Sequence, residues 1–113
     1  SVTLTELKGK KRDIDELSQY RLLVKRARLE QLKRNKGLLN AELKSRHIDQ
    51  FCQLTPDAET LLDRAVDKLT LTGRGYHKVI KVARTIADLA GETKISSPAV
   101  AEALQYRFSE GPS

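Results

Sequence analysis

Apolar residues in this chain recur every three to four positions, a spacing that predicts helices and not strands. From Asp13 to Lys36 the pattern sets Tyr20, Leu23, Val24, Ala27 and Gln31 along one face, and Gly37 follows where a helix stop belongs. The segment LNAEL (39–43) then bridges to a short helix near Ser45–Gln53, in which His47, Ile48, Phe51 and Cys52 form a patch to bury. A third helix starts cleanly, with Thr55 as N-cap and Pro56 at the first helical position, where its missing N–H costs nothing. Its inward stripe is Leu61, Leu62, Ala65, Val66 and Leu69. A fourth opens at an N-cap, Thr72, and runs through Tyr76, Val79, Ile80, Ala83, Ile86, Ala87 and Ala90 to a C-cap at Gly91. Ser97 and Pro98 repeat the serine/threonine-then-proline start for a fifth, with Val100, Ala103, Leu104 and Phe108 inward. The expected fold is all-α, a small bundle of about five helices joined by short loops, with no internal repeat. The two ends, SVTLTELKGKK and SEGPS, read as frayed.

Composition agrees with one small globular domain: 113 residues, 39% hydrophobic and 32% charged. Apolar runs such as Leu22–Val24 fall far short of the roughly 20 residues that span a bilayer, so no membrane partner is expected. No charged-then-apolar leader opens the sequence, and the single cysteine, Cys52, has no internal disulfide partner. Both points place the chain in the cytoplasm. The net charge of +6 lies entirely in the first half. Residues 1–54 hold 13 Lys/Arg against 7 Asp/Glu, whereas residues 55–113 hold 8 of each. Much of the excess falls in RLLVKRARLEQLKRNK (21–36), making the first helix long and basic. Its Arg21, Lys25, Arg26, Arg28, Lys33 and Arg34 suit either an anionic partner such as DNA or a subunit contact. A solvated helix face is the plain alternative.

The stretch LTGRGYHKVIKVARTIADLAG (71–91) holds the sharpest candidate. Arg74 falls in the first turn of the fourth helix, where unpaired backbone N–H groups already favour anions, with Thr72, Gly73 and Gly75 making up that helix start. An arginine there opposes the helix dipole, which a shared ligand anion would offset, and its forked donors suit a phosphate. Two glycines are weak evidence alone, since this is not the dinucleotide GxGxxG pattern and no strand precedes it. His47 and His77 sit in no metal-ligand spacing, so no metal site is expected, and His77 reads as a packing or capping residue. Cys52 reads as a small buried hydrophobe. Arg84 and Asp88, one turn apart, read as a pair on the helix surface or a contact to a neighbouring domain. There is no P-loop, no paired-carboxylate site and no Ser/His/Asp arrangement.

LTGRGYHKVIKVARTIADLAG followed by ISSPAVAEALQYR resembles the C-terminal helical domain of magnesium-chelatase-like AAA+ ATPases, nearest the ComM/YifB competence-protein type. The resemblance rests on Thr72, Arg74, Tyr76 and His77, on Val82 to Leu89 and on Ala101 to Arg107. Upstream, Val24, Ala27, Arg28, Gln31 and Arg34 resemble the family's first lid helix, and Leu39 to Leu43 and Cys52 also fit. Thr72 stands where serine is usual and Gly73 where alanine is common. The likeness covers residues 21–107, leaving 1–20 unassigned or as the start of the first helix, and 108–113 as a tail.

The resemblance implies a lid that follows an ATPase core. Arg74 would be the sensor-2 arginine, reaching the γ-phosphate of ATP whose Mg²⁺ is bound mainly by that core. The partners implied are the core domain of the same protein, neighbouring subunits of a ring, and DNA. The complete protein would hydrolyse ATP, whereas this chain, lacking Walker motifs, would not do so alone. Two other readings stand beside this one: a stand-alone helical nucleic-acid-binding module, and the lid of a true magnesium chelatase motor subunit.

Overall fold

A computed structural model of the chain describes residues 2–109, with side chains up to Arg107. The described residues form five α-helices and one short 3₁₀ turn: α1 (Leu4–Arg34), the turn Asn40–Glu42, α2 (Ser45–Phe51), α3 (Pro56–Leu69), α4 (Gly73–Leu89) and α5 (Ser97–Ser109). The all-helical expectation therefore holds. The expected burial of Phe108 lies outside the described side chains; of the expected tail at 108–113, residues 108 and 109 are instead the last of α5, and 110–113 lie outside the described residues.

α1 starts well before Asp13, and the cause is local. The Glu6 N–H donates to Thr3 Oγ1 at 3.2 Å while the Thr3 N–H donates to the Glu6 carboxylate, a reciprocal capping box. The TLTE stretch carried that signal, so the N-terminal end is helical from Leu4 and not frayed. Its far end reverses through Lys36 and Gly37, both at positive φ, with the Gly37 N–H on the Leu32 carbonyl. α3 and α4 end the same way, through Thr70 (φ 51°) and Gly91 (φ 74°), with Leu71 bonded back to Val66 and Glu92 to Ala87. The first left-handed residue is thus a glycine only at the end of α4, Lys36 and Thr70 taking that place after α1 and α3.

α4 is the axis of the bundle. It packs chiefly against α5, which also meets α3, while the C-terminal part of α1 lies on α4. Alanines 83 and 87 on α4 and 99 and 103 on α5 are buried, so the two helices approach closely. Leu43, Ile48, Phe51, Leu62, Val79, Ile80, Ile95 and Val100 fill the remaining core. Each contributes roughly 1.5–3 kcal/mol by leaving water. The loops before α3 and α5 are stitched by two backbone bonds, Thr55 N–H to Ile95 and Ile95 N–H to Gln53. α5 begins at Ser97 itself, one residue before the expected start.

Several expected core positions are outside. Tyr20 is 59% exposed and Leu23 40%, because α1 meets the body only from Val24 onward, burying Ala27 and Gln31. Leu69 and Ala90 are exposed at the ends of their helices. Cys52 is buried as expected, and burial pushes its thiol up to about 11.

Candidate functional site

Thr72 caps α4 from an extended conformation, its Oγ1 accepting the Gly75 N–H at 3.1 Å. Gly73 and Arg74 are the first two helical residues, so their N–H groups have no carbonyl four residues back within the helix. Arg74 is exposed and makes no hydrogen bond or ion pair among the described residues. This end of the helix therefore presents backbone donors and a guanidinium together, the combination that binds an oxyanion.

Gly75 has a different task from Gly73. A Cβ at Gly75 would stand 3.3 Å from Arg107 Nη2, whereas one at Gly73 would meet nothing within 4 Å. The Arg107 guanidinium of α5 thus rests on the first turn of α4, a second arginine at the same helix end. The sequence pattern gave no sign of this, since Arg107 lies 33 residues beyond Arg74. On the opposite flank, Asp63 and Asp67 of α3 line a shallow hollow with Thr72, Gly73 and Tyr76, and Arg74 lies outside it. The carboxylates suit the positive end of the helix dipole and leave the arginine side as the face open to an anion. Tyr76 is half-buried, and its hydroxyl is pushed up by burial and then by Asp63, Asp49 and Glu59. His77 packs edge-on to Tyr76 and reaches Ser45 Oγ through Nδ1 at 3.3 Å, a packing role as expected.

The other end of α4 corrects the reading of Arg84 and Asp88. They do pair, at 3.1 Å, but both are buried, with Arg84 1% exposed. The Asp88 carboxylate also accepts two bonds from Arg34, at 2.6 and 3.1 Å, and one from Asn40 Nδ2 at 2.9 Å. Arg84 donates to the carbonyls of Glu92 and Thr93, holding the α4–α5 loop. Asn35 and Gln31 complete the network by bonding Asn40. Arg34 therefore differs from the rest of the basic stripe. Arg21, Lys25, Arg26, Arg28 and Lys33 face solvent, whereas the Arg34 guanidinium is held internally by Asp88.

Among the described residues no cluster of His, Cys, Asp and Glu could hold a metal ion, and no helix is long and apolar enough to cross a membrane.

The model of the family described as magnesium chelatase, subunit ChlI C-terminal, matches residues 16–107. The chain belongs to this family. Among curated proteins it is 48% identical over 71 residues to the competence protein ComM of Haemophilus influenzae, covering 63% of this chain and 14% of that protein. It is 40% identical over 81 residues to the uncharacterized protein YifB of Escherichia coli, covering 72% of this chain and 16% of that protein. YifB of Salmonella typhimurium is 38% identical over 74 residues, covering 66% of this chain and 15% of that protein. The chain thus spans about one seventh of the length of these relatives. No solved structure matches it with comparable significance.

Proposed function

We propose that this chain works as the lid of a magnesium-chelatase-like ring ATPase, with Arg74 as the residue that senses the nucleotide. The observation that carries the reading is the state of the α4 N-terminus: Thr72 caps one donor, while Arg74 and the adjacent N–H groups stay open to solvent. A γ-phosphate held by the core domain would complete this end, offsetting the unfavourable placement of a cation at the positive end of a helix. The Mg²⁺ that accompanies ATP would be held mainly by the core domain. Lid movement coupled to hydrolysis would act on neighbouring subunits, and through them on DNA.

The test is Arg74→Ala in the complete ATPase, with Arg74→Lys beside it. Turnover should collapse in the alanine variant and recover only partly with lysine, which carries charge without the planar fork. Unchanged turnover in Arg74→Ala removes the assignment.

The long helix favours a second contribution. Tyr20, Arg21, Val24, Lys25, Arg28 and Leu29 line a shallow groove along its exposed flank, an aromatic among cations that suits a nucleic-acid backbone. Binding of this chain to DNA should then fall steeply with salt. Absence of binding at low salt assigns the stripe to protein contacts.

A further inference from the structure

Two surface features lie outside that reading except at Tyr20, which it shares with the α1 groove. Between α4 and α5 runs an open groove of about 590 Å³ with Val82, Ile86 and Ala103 in its wall, bordered by Lys78, Lys81 and Arg107. Among the described residues no carboxylate lines it. On α1, the acidic segment DIDE (13–16) interrupts an otherwise basic helix. Within it and just beyond, Ile14 is 64% exposed, Leu17 49% and Tyr20 59%, at three-residue intervals that put them on neighbouring positions of one helix face. Asp13 and Glu16 border that face, and Arg21, one turn beyond Leu17, closes its far end.

We propose that residues 13–20 of α1 dock into the α4–α5 groove of a second copy of this chain. The match is one of charge and polarity together: an apolar face bordered by carboxylates meets an apolar floor bordered by the ammonium groups of Lys78 and Lys81. Elsewhere on α1 the exposed leucines at 22, 23, 29 and 32 lie mostly among arginines and lysines, which the groove would repel, and Leu4 and Leu7 have a single carboxylate, Glu6, beside them. Nucleic acid fits the groove less well, because phosphates gain nothing from Val82 and Ile86.

The segment cannot reach the groove of its own copy. α1 is one continuous helix, every residue from Lys10 to Leu23 is exposed, and its first half-buried position on the body is Val24. At 1.5 Å per residue Leu17 stands roughly 10 Å beyond that point and Ile14 roughly 15 Å. Folding back would break the helix. The molecule is accordingly elongated, 58 Å in its longest extent against 32 and 25 Å. A contact of one helical segment in one groove is smaller than a standard interface of about 1,600 Å², so the association is weak and salt-sensitive.

Sedimentation velocity on the 113-residue chain tests this, from low-micromolar to near-millimolar concentration at low salt. Mass should rise with concentration, and both Leu17→Lys and Lys78→Glu should weaken association by about tenfold or more. Lys78 is the variant of choice because the Lys81 ammonium already reaches the Ala41 and Leu43 carbonyls. A chain carrying Asp13→Lys and Glu16→Lys should also fail to associate with itself, yet associate with the Lys78→Glu chain when the two are mixed. Circular dichroism checks that each variant keeps its helical content. A monomer at every concentration overturns the proposal, as does association that ignores these substitutions or a mixture that fails to restore it.

Discussion

Replacing Asp88 with alanine should cost more than any other single change in the polar interior. The carboxylate accepts two bonds from Arg34, one from Asn40 and one from Arg84. Its side chain is 1% exposed, as is that of Arg84, while that of Arg34 is 21% exposed. Removing it leaves two guanidinium groups facing one another with no counter-charge. Burial already weakens the hold of Arg84 on its proton, and Asp88 is the group that opposes this. Breaking a buried ion pair by deleting one partner costs about 3–5 kcal/mol. Partial exposure lets Arg34 turn to water, so the lower part of that range applies, about 3 kcal/mol. Domains of this size have about 5–15 kcal/mol in total, so the loss is a large share. With a urea slope of about 1.5 kcal/mol per M, the unfolding midpoint followed by circular dichroism should fall by about 2 M. The triple variant Arg34→Met, Arg84→Met, Asp88→Leu should recover about half of the loss or more, because it removes the orphaned charges along with their partner. A drop below about 1 kcal/mol for Asp88→Ala would refute the reasoning, since it would mean that the network is solvated and not buried.

Thr70 holds φ 51° at the end of α3, a region that a β-branched residue enters at a cost. Thr70→Gly should therefore raise stability by up to about 1 kcal/mol, read as a higher urea midpoint. The buried Cys52 thiol, shifted from 9.0 to about 11, makes stability pH-dependent. Because the folded state holds its proton more tightly than the unfolded state, that contribution is complete below pH 9 and is lost as pH rises through about 11. Denaturation at pH 8 and pH 11 should show a steeper decline for the wild-type chain than for Cys52→Ala; equal declines would refute the assignment. In this chain alone, Arg74→Ala should leave the unfolding midpoint unchanged or slightly higher, since it removes a cation from the positive end of a helix. A clear loss of stability would mean that Arg74 has a structural partner.

Signals that act within a few residues were legible. Thr55 with Pro56, Thr72 with Gly75 and Gly91 after α4 each form a local cap, and local caps can be read from adjacent letters. The capping box of Thr3 and Glu6 is equally local, but the run of lysines after it carries no apolar stripe to mark the helix it starts. The helix end at Thr70 gave no warning, because threonine is neither the glycine nor the asparagine that the left-handed position favours, whereas Gly37 marked the end of α1 although Lys36 turns left-handed before it. Burial was the larger obstacle. The spacing of Arg84 and Asp88 correctly paired them, yet nothing nearby shows that Arg34 and Asn40, 54 and 48 residues from Asp88, close over the pair. The extended apolar face of α1 misled in the opposite sense: the same periodicity continues past the point where the body ends.

The two ends of α4 divide the work of the domain. At Asp88 the helix is clamped to α1 and, through Arg84, to the loop before α5. At Arg74, fourteen residues and roughly 21 Å away along the helix, the first turn keeps its donors open. The proposed sensing role of Arg74 would need this asymmetry, because a side chain committed to internal bonds would have to break them before it could answer a ligand. The clamp supplies the rigidity that the open end lacks, so the position of Arg74 is set by contacts it does not itself make. Substitutions at the two ends should therefore act independently. Asp88 changes should lower the stability of the isolated chain, Arg74 changes should leave it intact, and the double variant Arg74→Ala, Asp88→Ala should unfold within about 0.5 kcal/mol of the sum of the two.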